Sequence, residues 1–91
     1  MSSHRVFLLV VFSCLIGGLL GCERDPNARK QKFLESGAHY FAKEEFPAAV
    51  VEFSNALQID PNFAPAHFQL GECFLKMRRF PEAYRELQRG K

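Results

Sequence analysis

Apolar residues fall into two regimes along this chain. From Val6 to Leu20 fifteen consecutive residues carry no charge. After Glu23, charged residues are interspersed throughout, and the apolar ones recur at helical spacing. Phe33, Gly37, Tyr40 and Phe41 repeat at intervals of three and four, as do Phe46, Ala49, Val50, Phe53, Ala56 and Leu57. Such spacing places them on one stripe of an amphipathic helix. Phe46-Pro47 and Phe80-Pro81 each break one helix and start another, because proline suits the first helical turn but not the interior. Asp60-Pro61-Asn62 ends a helix, and Asp25 with Pro26 reads as a start. The pattern predicts helices over 28–44, 47–59, 63–77 and 81–90, hence an all-α fold.

The helical part repeats. A shift of 34 residues aligns Gly37 with Gly71, Tyr40 with Phe74, and Phe46-Pro47 with Phe80-Pro81. It also aligns Ala49 with Ala83, Glu52 with Glu86, and Phe53 with Leu87. These positions mix small, aromatic and turn residues, which composition alone explains poorly. A helix-turn-helix unit of this length with these residues resembles the tetratricopeptide repeat. The first unit, 30–63, carries Phe33, Gly37, Tyr40, Ala49, Phe53, Ala56 and Pro61 at the family's positions. The second, 64–91, carries Leu70, Gly71, Phe74 and Ala83, and departs at His67, where a large aromatic is usual. The resemblance covers about 28–91, so the repeat domain is placed at 28–91. Gly37, Gly71, Ala49 and Ala83 are expected to let paired helices approach, with Tyr40, Phe53 and Phe74 filling the spaces between.

The resemblance implies a right-handed superhelix whose first helices line a concave groove for a partner peptide or helix. Carried onto this chain, the groove candidates are Leu34, Ala38 and Phe41 from the first unit and Phe68, Gln69, Glu72 and Lys76 from the second. Chaperone-binding members clamp a terminal carboxylate with basic and amide side chains there. Leu34 and Ala38 stand at two of those places, so an apolar or mixed surface is expected instead. The plainer reading of Phe41 and Phe68 is packing against neighbouring helices. The plainer reading of Glu72 and Lys76 is a surface pair on one helix face.

The N-terminal run belongs to other chemistry. A fifteen-residue helix spans about 22 Å, short of the roughly 30 Å hydrocarbon core of a bilayer. With Arg5 and the terminal amine before it, the run suits a secretory signal over 1–21. Its end, Leu19-Leu20-Gly21-Cys22, resembles the lipobox of bacterial lipoprotein precursors. The resemblance implies a diacylglyceryl group on the Cys22 sulfur, cleavage after Gly21, and acylation of the new amine with a palmitate-like chain. Residues 22–27 then form a lipidated tether. Several acyl chains hold firmly where one is marginal. Glu23 stands where aspartate would signal inner-membrane retention, which favours the outer membrane, facing the periplasm. The alternative is an uncleaved anchor with an incidental cysteine.

Composition narrows the function. Twelve Lys or Arg against ten Asp or Glu give a net charge of +2. That is too balanced for a nucleic-acid binder, and the basic spots Arg29-Lys30 with Lys32, and Arg78-Arg79, read as solvated helix surface. Cys14, Cys22 and Cys73 match no zinc or CxxC spacing. His39, His67 and Cys73 form no catalytic or metal constellation, and no glycine-rich phosphate loop is present. The expected function is therefore a non-enzymatic, lipid-anchored interaction scaffold of the bacterial cell envelope, with no cofactor and no metal. Two units bury little interface, and solenoids generally need three or more. Tyr84 and Leu87 are expected to stand uncovered. The alternative function is thus the N-terminal anchoring module of a larger repeat protein, and self-association is the other way to cover that face.

Overall fold

The computed structural model describes residues 25–91. The signal segment 1–21, its motif Leu19, Leu20 and Gly21, and the lipidation site Cys22 lie outside the described residues. Four helices follow in order: α1 (Pro26–Ala42), α2 (Phe46–Ile59), α3 (Ala64–Lys76) and α4 (Phe80–Arg89). Among the described residues there is no strand. No helix among them is long and apolar enough to cross a membrane.

Each helix begins where the prolines demand. Pro26, Pro47, Pro65 and Pro81 all occupy a first-turn position, where the missing N–H costs nothing. Asp25 caps α1, its carboxylate accepting from the Asn27 N–H at 3.0 Å. This cap draws the helix start back to Pro26, two residues before the expected 28.

The hairpin turns set the C-terminal ends. Glu44 and Arg78 take left-handed backbone, with φ of 61° and 59°. The following N–H groups then fold back: Glu45 donates to the Tyr40 carbonyl at 3.0 Å and Arg79 to the Phe74 carbonyl at 2.8 Å. This closes the last carbonyls of each helix. It also ends α1 at Ala42 rather than 44 and α3 at Lys76 rather than 77. The two turns lie 34 residues apart and are the same structure.

Within each hairpin a glycine admits the partner helix. A Cβ on Gly37 would fall on the Phe53 ring, 2.6 Å from Cδ1. One on Gly71 would lie 2.8 Å from Leu87 Cδ2 and 3.4 Å from the Ala83 carbonyl oxygen. Successive helices pack on one another, and α1 also reaches α3. The main cluster joins both hairpins: Ala49 and Phe53 from α2, Leu70, Cys73 and Phe74 from α3, and Ala83 from α4. A second cluster, Ala56, Phe63 and Ala66, spans the α2–α3 junction with Phe33 packed against it. Leu87, expected on an uncovered face, is half-buried against Gly71 instead. Leu87 repeats Phe53, which points inward, whereas Tyr84 is exposed although Val50, the residue it repeats, packs against the main cluster.

Polar contacts pin the junction between the units. Lys30 Nζ lies 2.7 Å from Asp60 Oδ2 and 4.5 Å from the centre of the Phe63 ring. Asp60 also accepts from the Asn62 N–H at 3.1 Å. The Lys30 hydrogen bond, helped by the Asn62 N–H, holds the Asp60 carboxyl below its ordinary range. The loop between the units is thereby tied back to α1.

Candidate partner-binding groove

The inner surface is built by α1 and α3, the first helix of each hairpin. Phe41 stands one residue before the end of α1. Phe68 and Gln69 share one turn of α3, and Glu72 follows one turn later. These four side chains line one pocket of about 400 Å³. Four of the seven expected groove residues are therefore brought together.

The other three are placed differently. Leu34 is half-buried and packs against both apolar clusters, so it belongs to the interior rather than the pocket wall. Leu34 packs together with Phe33 against the junction cluster of Ala56, Phe63 and Ala66. Ala38 is exposed on α1, outside the pocket lining. Lys76 is exposed at the last residue of α3 and also lies outside it. No ion pair joins Glu72 to Lys76, although their spacing permits one. An exposed lysine gains little from a fixed pairing against its side-chain entropy.

The four lining residues offer mixed chemistry. Phe41 packs against the main cluster and meets the Phe46 ring edge-on, with centroids 5.2 Å apart. Its position is therefore fixed by the core while its surface faces the groove. Phe68 is 52% exposed. Gly90 lies close behind it, since a Cβ there would sit 3.2 Å from the Phe68 nitrogen. Gln69 and Glu72 supply an amide and a carboxylate at the rim. Aromatic surface beside polar groups suits an extended peptide or an amphipathic helix.

Other chemistry-bearing residues serve the fold. Cys73 is fully buried, and burial, helped by the neighbouring Glu72 carboxylate, pushes its thiol up to about 11. His39, at the equivalent place one unit earlier, is exposed. His67 is buried, with Nδ1 2.7 Å from Glu86 Oε2 and Nε2 2.7 Å from the Pro61 carbonyl oxygen. The departure at His67 is thus a satisfied core histidine. The Glu86 partner is nineteen residues away and carries no local sequence signal. Among the described residues no three His, Cys, Asp or Glu side chains gather as a metal site requires.

A hollow of about 570 Å³, unforeseen in the sequence, lies between the start of α1 and the end of α2. Its walls are Pro26, Arg29, Phe33, Asn55, Gln58 and Ile59. Arg29 is the one charged group there, and Asn55 and Gln58 are the other polar side chains of its wall.

Residues 37–77, from the middle of α1 through the end of α3, match a family model described as TPR repeat. No curated protein and no solved structure matches the chain. Two hairpins in 34-residue register, with the repeat match across their junction, make this an all-α fold of tetratricopeptide-type repeats, a kind of repeat that generally mediates protein–protein interaction.

Proposed function

We propose that the chain is a protein-interaction scaffold held at a bacterial membrane by lipid on Cys22, with the α1–α3 groove as its partner site. The observation that carries the groove is the shared pocket of Phe41, Phe68, Gln69 and Glu72. A peptide or helix that places an apolar side chain on the two rings, and polar groups at Gln69 and Glu72, fits this surface. The anchor rests on the residues Leu19-Leu20-Gly21-Cys22 after a short uncharged run. Glu23 after the cysteine favours the outer membrane, with the repeats facing the periplasm.

Two experiments test the two halves separately. A photo-crosslinking residue at Gln69 should capture a defined partner in cells, and one at Val51, on the exposed side of α2, should not. Phe68→Glu should abolish the Gln69 product while helical circular dichroism is retained. An unchanged product in that variant would remove the groove from consideration. For the anchor, metabolic labelling with a tagged fatty acid should mark the wild-type chain and not Cys22→Ser. Label persisting in Cys22→Ser would refute lipidation there.

A further inference from the structure

Helix α1 begins at Pro26, four residues after Cys22. A chain advances at most about 3.3–3.6 Å per residue, so Pro26 lies within roughly 14 Å of Cys22 however the residues between are arranged. The headgroup layer on each side of a bilayer is about 5–7 Å deep. With Cys22 lipidated, Pro26 therefore stands less than about 10 Å above the headgroups. Pro26 is also a wall of the hollow of about 570 Å³ between the start of α1 and the end of α2. The hollow is thereby held beside the bilayer. Lys43, past the other end of the 17-residue α1, is about 25 Å away along the helix axis.

The polar groups of the hollow suit an anion. Arg29, Asn55 and Gln58 line it beside the apolar Phe33 and Ile59, and no carboxylate stands in the wall. Among the described residues, no ion pair and no side-chain hydrogen bond engages the Arg29 guanidinium or either amide. The acids at this end of the molecule already have partners: Asp25 accepts from the Asn27 N–H, Asp60 holds Lys30, and Glu86 holds His67. The same place in the second unit, between the start of α3 and the end of α4, is a hollow of about 450 Å³ with Asn62 and Arg89 in its wall. Arg89 stands 34 residues after Asn55, and its side chain is 57% exposed, 3.5 Å from Glu86 Oε1. Guanidinium and amide N–H groups donate to phosphate oxygens. Apolar walls take the glycerol and ester carbons that adjoin a lipid phosphate.

We infer that the hollow between α1 and α2 is a phospholipid-headgroup site, in which Arg29, Asn55 and Gln58 hold a headgroup phosphate of the bilayer that carries Cys22. The inference rests on the proposed lipidation of Cys22. It adds an orientation to the anchor: the start of α1 and the end of α2 face the lipid, and the turns at Glu44 and Arg78 point away from it.

A photo-crosslinking residue in place of Gln58, with Arg29 and Asn55 kept, should give a phospholipid adduct in cells. Mass spectrometry reads it on the peptide that carries residue 58, apart from the peptide that carries Cys22. The same crosslinker in place of Lys43 should give none. Arg29→Glu should lower the Gln58 adduct about fivefold or more, the scale of one basic residue at an anionic bilayer surface. Fatty-acid label on Cys22 should stay at the wild-type level in that variant. Arg29 is exposed and near the start of α1, where an acidic side chain favours the helix, so the fold should tolerate the change. Helical circular dichroism checks this, and Arg29→Gln repeats the test if helicity falls. A labelled Cys22 without a lipid adduct at Gln58 would overturn the site and leave the anchor standing. So would equal adducts at Gln58 and Lys43, or a crosslink from Gln58 to residues 22–24 in place of lipid. An adduct indifferent to the loss of Arg29 would show tether proximity alone and overturn the site as well. A wild-type chain without fatty-acid label would overturn the anchor, and the site with it.

Discussion

His67 and Glu86 join α3 to α4 across the interior of the second hairpin, imidazole Nδ1 to carboxylate Oε2 at 2.7 Å, with side chains 7% and 12% exposed. The other ring nitrogen meets the Pro61 carbonyl oxygen, also at 2.7 Å. Each ring nitrogen therefore faces an oxygen acceptor, and a ring carrying both protons donates to both. Glu86→Ala leaves Nδ1 without its acceptor in a buried place. The expected cost is about 1–3 kcal/mol in chemical denaturation. Replacing both residues, His67→Phe with Glu86→Leu, should cost less than the two single changes summed. Strict additivity in the double-mutant cycle would show that the pair contributes nothing as a pair.

The two helix-facing glycines should differ in tolerance. A Cβ on Gly37 runs into the Phe53 ring, which is fully buried and has nowhere to move. Gly37→Ala is expected to destabilise by about 1–3 kcal/mol, overpacking outweighing the roughly 1 kcal/mol gain in helix propensity. At Gly71 the Cβ meets the end of the half-buried Leu87 side chain, which can turn aside. Gly71→Ala should fall within about 1 kcal/mol of wild type by the same balance. Urea denaturation of both variants side by side checks the order.

Glu44 and Arg78 carry left-handed backbone that glycine adopts without penalty. Glu44→Gly and Arg78→Gly should each stabilise the fold by up to about 1 kcal/mol, reduced somewhat by the greater freedom of glycine in the unfolded chain. Thermal melts should move up by a few degrees for each change. A lowered Tm at both sites would show that the side chains matter more than the turn geometry.

Cys73 should resist modification while the chain is folded. Its thiol is fully buried and pushed up to about 11, from an ordinary 9.0. At neutral pH almost no thiolate is present to react, and the reagent cannot reach it. Alkylation mapped by mass spectrometry should mark Cys73 only after unfolding. Between pH 9.0 and about 11 the unfolded thiol ionises while the folded one does not. The contribution to stability is therefore complete below pH 9.0 and is lost as pH climbs through about 11. Cys73→Ala should flatten that part of the stability profile.

Much of the backbone was legible because its signals are local. Pro26, Pro47 and Pro81 at first-turn positions announce three of the four helices, and the 34-residue shift pairs Gly37 with Gly71 and Ala49 with Ala83. Helix ends were legible only to within two residues, because a left-handed Glu44 or Arg78 has no distinctive side chain. The pocket lining was legible only in part. Phe41, Phe68, Gln69 and Glu72 share a pocket, but Leu34 turns toward the core. Spacing gives the face of one helix, whereas a groove depends on how two helices rotate against each other.

By itself, the sequence determined the helices, their pairing into two units, and the inward stripe of each. Periodicity and turn chemistry act over a few residues and repeat in register, so they survive without knowledge of the packing. Only the tertiary structure decided that His67 finds Glu86 and Pro61, that Leu87 is covered while Tyr84 is open, and that His39 is exposed where Cys73 is buried. These outcomes depend on what lies across the helix interface. Two residues at equivalent places in a repeat meet different neighbours when one unit ends the described array and the other packs against its predecessor.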